Sequence, residues 1–131
     1  MRTQLSANFY RDEFECKCSC GFDTVDAELV AVLQDIRDEF DDEVTIVSGC
    51  RCEKHNAKVG GAASSMHLTG KAADIAVKGV HSGLVADYFN SLYTERYGVG
   101  RYYTWVHNDV RPTLARWTDY ASTFSNPTPN E

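Results

Sequence analysis

The chain has 131 residues, long enough for one domain with a real core and too short for two. Its 13 basic and 19 acidic side chains leave a formal charge of -6, and no basic cluster interrupts the acidic balance, which argues against a phosphate-tracking surface and a nucleic-acid partner. No apolar run reaches the roughly 18 residues of a membrane span, and Met1 to Phe9 carries one charge and no apolar stretch, unlike a secretion signal.

In chain order, the first notable feature is a set of alternating cysteines, Cys16, Cys18 and Cys20, answered later by Cys50 and Cys52 around Arg51. Five is odd, so a complete intramolecular disulfide framework is impossible, and reduced thiols are the default without a secretory leader. If the first three are extended, Cys16 and Cys20 share a face and, with Cys52 and His55, form a candidate second, structural zinc site. A single bridge between the two groups, or small buried thiols with no special role, are the alternatives.

Leu29, Val32, Leu33, Ile36 and Phe40 recur at helical spacing, with Asp23 or Thr24 to cap the start and Asp26 and Glu28 near the positive end of the dipole. Val44 to Val47 is short and β-branched and ends at Ser48-Gly49, the mark of a buried strand that delivers Arg51 to its far end. Gly60 to Ser65 favours irregular backbone, which places His67 on a loop. Ala72 to Val77 resumes strand character, with Asp74 on the face of Ala72 and Ala76. Ser82 is positioned to cap a helix carrying Leu84, Val85, Tyr88, Phe89 and Leu92. Gly98 to Tyr103 and Trp105 to Arg111 read as two strands joined by a tight turn. The order predicts an α+β domain, a small antiparallel sheet with helices packed on one side, over residues 1–120. After Trp117 the composition turns to Ser, Thr, Asn and Pro, and residues 121–131 are expected to form a flexible tail.

His67, Asp74 and His107 together offer two imidazoles and a carboxylate. A catalytic zinc takes three N or O ligands and keeps one open position, where a water is acidified toward neutrality and aimed at a carbonyl. On a strand from Trp105, the side chains of Trp105, His107, Asp109 and Arg111 project to one face, which brings Asp109 near whatever His107 holds. Each of these has a plainer reading: a lone strand histidine is usually packed or hydrogen-bonded, and Asp74 can cap a turn or pair with Lys71 or Lys78. His55 and His81 look peripheral.

Ser65-x-His67-x-x-Gly70-x-Ala72-x-Asp74 matches without a gap the SxHxxGxAxD motif of the zinc D-Ala-D-Ala carboxypeptidases and their phage relatives, the L-alanyl-D-glutamate endolysins. The resemblance continues in Ser48-Gly49-Cys50-Arg51, Asn56 to Gly61, His107-x-Asp109 and Ala115-Arg116-Trp117. It runs from about Phe14 to Trp117 and is closest to the short phage and prophage branch. It implies a Hedgehog/DD-peptidase-like fold and a zinc peptidase that cuts peptidoglycan stem peptides. The cut would fall at D-Ala-D-Ala as a carboxypeptidase or at L-Ala-D-Glu as an endopeptidase.

By that resemblance His67, Asp74 and His107 are the Zn2+ ligands, and Arg51 is the cation that steadies the scissile carbonyl or the substrate carboxylate. Many relatives place an acid three residues before the second histidine ligand, as general base; here that position is Thr104. Asp109 is the candidate replacement, and its alternative role is to orient the His107 imidazole. Ser65 either meets the substrate or caps the loop of His67. Trp105, with Tyr102 and Tyr103, either lines a peptide groove or packs in the sheet. The expected partner is a stem peptide alone, met by a monomer made in the cytoplasm and released to the cell wall or carried on a phage particle. The missing acid at Thr104 sustains a second reading, a noncatalytic zinc-stabilised phage structural or peptide-binding module.

Overall fold

The structure, a computed structural model, describes residues 2–121; the expected tail lies, beyond Ala121, outside the described residues. Helix α1 spans Ala27–Phe40, strand β1 Val44–Ser48, helix α2 Glu53–Lys58, strand β2 Ala72–Val77 and helix α3 Ser82–Leu92. Strands β3 (Gly98–Arg101), β4 (Val106–Asp109) and β5 (Ala115–Thr118) complete the sheet. Two 3-10 turns, Arg11–Phe14 and Met66–Thr69, precede α1 and β2 respectively. No helix among the described residues is long and apolar enough to cross a membrane.

The five strands run in the order β1-β2-β4-β3-β5, antiparallel throughout except for the β3–β5 pair, which is parallel. This is the expected α+β arrangement with one strand more than the sequence signals. The strand β5, Ala-Arg-Trp-Thr, is short and half polar, and only Trp117 and Thr118 in it resemble strand residues. Pairing of Gly98 with Ala115 and Gly100 with Trp117 holds it.

Period-two alternation gives the sheet two unlike faces. Ala73, Ile75 and Val77 of β2, with Val99 and Val106, join Leu29, Leu33 and Ile36 of α1 and Val85 and Phe89 of α3 in one buried cluster. Burying each large aliphatic or aromatic side chain here contributes about 1.5–3 kcal/mol. Phe9 and Phe14, from the N-terminal segment, close the cluster with ring centroids 6.1 Å apart, a contribution that no periodicity before α1 announces. Asn108 also faces this core, and its buried amide makes no hydrogen bond among the described residues.

Several boundaries differ from the sequence expectation. Asp26, rather than Asp23 or Thr24, caps α1, its carboxylate accepting from the Glu28 N–H at 2.8 Å. His81, rather than Ser82, caps α3 through Nδ1 to the Gly83 N–H at 2.9 Å, while the Ser82 hydroxyl donates to the Tyr102 and Tyr103 carbonyls. Leu84 and Leu92 are exposed, because Val85, Ala86 and Phe89 take the inward stripe at i, i+1 and i+4. His67 lies on the Met66–Thr69 turn rather than an irregular loop, and α2 was not anticipated at all, its six residues being too short for a periodic signal. Strands β3 and β4 are shorter than their sequence runs, with residues 102–105 making the connection.

The cysteines are not extended. Cys16 to Cys20 curl through a turn in which Ser19 adopts φ 65, the Ser19 N–H bonds the Cys16 carbonyl, and the Cys16 N–H bonds Phe22 O. Cys16, Cys18 and Cys20 thereby gather around Cys52. The imidazole of His55 is not part of this group; its backbone N–H donates to Cys52 Sγ instead. Cys50 stands apart, buried, its thiol donating to the carbonyls of Phe14 and Phe22, and burial pushes that thiol up to about 11.

Candidate metal centre

The polar face of the sheet is organised as a row. Strand registers set Ser48 beside Asp74, Asp74 beside His107, His107 beside Gly100 and Gly100 beside Trp117, so one line of residues crosses all five strands. A β-bulge between Ile46 and Ser48 brings Ser48 into the line. Ala72 pairs with Asp109, which lies one step along the same face. Two glycines make room for this. A Cβ on Gly98 would stand 2.2 Å from Asp109 Oδ2, and one on Gly100 would stand 2.5 Å from Trp117 Nε1.

His67 reaches the row from the 3-10 turn. The turn is capped by Ser65, whose hydroxyl accepts from the His67 N–H at 3.1 Å, and it ends at Gly70 in the left-handed region, φ 69. Gly70 is also pressed against α1's entry. A Cβ there would stand 2.5 Å from Thr24 O, while the Asp26 N–H bonds Gly70 O at 2.9 Å and Lys71 Nζ meets Asp26 Oδ2 at 2.9 Å. The histidine loop is thus fastened to the start of the first helix.

The contacts of the two imidazoles assign their protons. His67 Nδ1 lies 2.7 Å from Gly49 O, and a carbonyl only accepts, so Nδ1 carries the hydrogen and Nε2 turns its lone pair toward Asp74 Oδ1 at 3.4 Å. His107 Nε2 lies 2.7 Å from Asp109 Oδ2 and its Nδ1 lies 3.1 Å from Asp74 Oδ1. With the neutral ring's hydrogen on the shorter contact to Asp109, Nδ1 likewise directs a lone pair at Asp74. Two nitrogen lone pairs and a carboxylate oxygen, all buried, converge; the donor atoms lie within 4.8 Å of one another. Electron-rich groups so arranged repel unless a cation stands among them, and an N, N, O set with supported tautomers fits a divalent ion such as zinc.

Asp109 is fully enclosed and heavily used. Oδ2 receives His107 Nε2 and Arg111 Nη2 at 2.6 Å; Oδ1 receives the Arg111 backbone N–H at 3.1 Å and Nε at 2.8 Å. Burial alone would raise its carboxyl, but the hydrogen bonds from His107 and Arg111 outweigh it and hold the group well below the usual carboxylate range. The Arg111 guanidinium lies over the Trp117 ring at 5.4 Å, and Trp117 packs against His107 with centroids 5.0 Å apart. Arg111 and Trp117 are site residues that sequence reasoning had not assigned a role. The only sequence signals were Arg111's shared strand face and the Ala115-Arg116-Trp117 match.

On the other side, Arg51 is 4% exposed. Its Nη2 contacts Asp74 Oδ2 at 3.4 Å, Nε donates to Ser48 Oγ at 3.2 Å and Nη1 to Asn56 Oδ1 at 3.3 Å. Its backbone N–H bonds the His67 carbonyl at 2.9 Å. Asn56 in turn donates to Ala62 O at 2.9 Å, and a Cβ on Gly61 would collide with the Asn56 amide. Asn56 therefore positions both the guanidinium and the glycine loop. A cavity of about 310 Å³ adjoins this side, lined by Glu53, Asn56, Ala57, Gly61, Ala63 and Leu68.

Trp105 is buried and stacks on Tyr102 at 4.4 Å with an interplanar angle of 9°, so it packs within the sheet layer rather than opening onto a groove. The exposed aromatic nearby is Tyr103, stacked on Tyr120 at 4.5 Å. Thr104, three residues before His107, is exposed in the β3–β4 connection.

The sequence profile of the family described as Peptidase M15 matches residues 7–109, from the segment before Phe9 to the last residue of β4. That span holds Arg51, Ser65, His67, Asp74, His107 and Asp109. Comparison with curated proteins and with solved structures gave no match. Matched over well more than half its length, and with the histidine and aspartate motifs meeting on one face of the sheet, the chain belongs to the Peptidase M15 family.

Proposed function

We propose that the protein is a zinc peptidase that hydrolyses an amide bond in peptidoglycan stem peptides, either D-Ala-D-Ala as a carboxypeptidase or L-Ala-D-Glu as an endopeptidase. The observation that carries this reading is the convergence of His67 Nε2, His107 Nδ1 and Asp74 Oδ1 within a chain of the Peptidase M15 family. When bound by these three, zinc supplies Lewis-acid polarisation of a carbonyl and acidifies water to near neutrality.

The chain's own residues prepare that chemistry. Gly49 O and Asp109 keep the hydrogens on the outer ring nitrogens, so both inner nitrogens are ready to donate their lone pairs. Arg51, which contacts Asp74 and is held by Asn56 of the 310 Å³ cavity's lining, would be the cation that receives a substrate carboxylate or the oxygen on which charge grows during amide cleavage. Ser65 supports the turn of His67. Asp109 orients His107 rather than accepting the proton from water, because both of its oxygens already receive hydrogen bonds from His107 and Arg111. With a threonine at 104, the β3–β4 connection offers no carboxylate as proton acceptor, and this reading expects slow turnover.

Thr104 also favours a second reading, a zinc-stabilised module that binds stem peptides without cleaving them. Digestion of purified peptidoglycan, with fragments identified by mass, tests both. Release of D-Ala identifies a carboxypeptidase and a cut after L-Ala an endopeptidase, each abolished in His67→Ala. Equal release by wild type and His67→Ala overturns the enzyme reading. Retention on peptidoglycan without any release supports the binding module.

A further inference from the structure

We propose that Cys16, Cys18, Cys20 and Cys52 form a second metal site, a tetrathiolate that holds a structural zinc ion separate from the His67, Asp74 and His107 centre. The four Sγ atoms lie within 4.8 Å of one another. Three of the edges are 3.4 Å for Cys16–Cys18, 3.6 Å for Cys18–Cys52 and 3.9 Å for Cys16–Cys52. A zinc–thiolate bond of about 2.3 Å sets the edge of a sulfur tetrahedron at about 3.8 Å, so the cluster already has close to the spacing a zinc ion imposes. A disulfide requires about 2.05 Å between its sulfurs, shorter than each of these edges.

The backbone is shaped to this end. Ser19 and Gly21 both take positive φ, 65 and 90, which wraps three alternating cysteines around a point instead of splaying them to opposite faces of a strand. Two main-chain donors aim at the sulfurs: the Cys52 N–H at Cys16 Sγ, 3.4 Å, and the His55 N–H at Cys52 Sγ, 3.4 Å. N–H···S bonds of this kind stabilise thiolate ligands. Cys50 is not one of the four and spends its thiol on the Phe14 and Phe22 carbonyls, which accounts for the odd fifth cysteine.

On binding, each of the four thiols releases its proton to solvent and forms one sulfur–zinc bond; no sulfur is oxidised, and the site changes from neutral to a net charge of minus two. Four soft ligands close the coordination sphere and leave no open position, which makes the site structural rather than hydrolytic. What it joins is specific. Cys52 follows Arg51 directly, so the ion would rivet the N-terminal segment to the loop that carries Arg51, reinforcing the Cys50 N–H bond to Phe14 O. It thereby stabilises a segment whose backbone also holds His67 O.

Metal content and cobalt spectra of the purified full chain test the site. Wild type is expected to carry about two zinc equivalents per chain, and His67→Ala and Cys20→Ser about one each, because each variant empties a different centre. Cys18 and Cys20 are exposed, so Cys18→Ser and Cys20→Ser leave no core cavity, and Cys50→Ala serves as a control that keeps both ions. Cobalt loaded into His67→Ala should give strong sulfur-to-metal charge-transfer absorption that disappears in Cys18→Ser. Four thiols should resist alkylation until a chelator is added, and chelation should lower the melting temperature of His67→Ala but not of a Cys18→Ser/His67→Ala double variant. Freely alkylated cysteines in the zinc-loaded chain, a cobalt spectrum without sulfur bands, or masses showing disulfides among these four would each overturn the proposal. Loss of zinc in His67→Ala alone, with cysteine variants unchanged, would overturn it while leaving the histidine centre intact.

Discussion

Asp74 and His107 are register partners across β2 and β4, and Asp74 Oδ1 lies 3.1 Å from His107 Nδ1. The pairing of two strands thus sets the distance between two metal-ligand candidates, with no loop to absorb error. His67 is the only one of the three supplied by a turn, and that turn is tied by Gly70 and Lys71 to the start of α1. Such support from regular elements keeps ligand geometry within the tolerance that binding needs.

Replacing Asp109 with Asn separates orientation from base catalysis. An amide retains an acceptor for His107 Nε2 but loses the charge and the paired Arg111 contacts. Zinc affinity at the histidine centre is expected to fall about 10- to 100-fold, with most activity on peptidoglycan fragments returning at saturating zinc. An activity loss of about a hundredfold or more that persists at saturating zinc, with unchanged affinity, would instead mark Asp109 as the proton acceptor.

Gly98→Ala should act on the same carboxylate from the neighbouring strand. The new methyl would stand 2.2 Å from Asp109 Oδ2, and Asp109, enclosed on all sides, has little room to retreat. A stability loss of about 1–3 kcal/mol in urea unfolding is expected, accompanied by weaker zinc binding. A variant as stable as wild type with unaltered zinc affinity would show that this close approach constrains nothing.

The Asp26–Lys71 pair predicts a pH window. Asp26 is held below its usual carboxyl range by the hydrogen bond from Lys71, with help from the Glu28 N–H, while the bond to Asp26 raises Lys71 above its own. A depressed carboxyl stabilises the fold above its unfolded pKa, about 3.9, and that stability disappears as pH falls through the lower folded value. The raised lysine contributes fully below about pH 10.4 and loses its part only as pH climbs through the folded value above that. Asn at 26 preserves the helix cap, so Asp26→Asn removes the charge alone. The difference in unfolding free energy between wild type and Asp26→Asn should be level from about pH 5 to pH 9, a few tenths to about 1 kcal/mol, and shrink as pH falls below about 3.9 through the lower folded value. A difference that does not shrink at all as the solution is acidified below about pH 3.9 would assign the effect to shape rather than charge.

Local pattern was sufficient for α1, β1 and β2, because their periodicity and β-branching are set by the faces they bury, and the metal-ligand candidates were legible as residue types in SxHxxGxAxD and His107-x-Asp109. Alternation along one strand already put His107 and Asp109 on a common face. What sequence did not reveal is which partner each group meets. The row from Ser48 through Asp74, His107 and Gly100 to Trp117 arises from four strand registers and a bulge, and register depends on contacts between segments far apart in the chain. Strand β5 was missed because a short polar segment becomes a strand only when β3 offers it an edge. The alternating cysteines would share a face only if extended, yet the turn at Ser19 sends them to one point beside Cys52, a choice made by backbone dihedrals and distant packing that side-chain pattern does not encode.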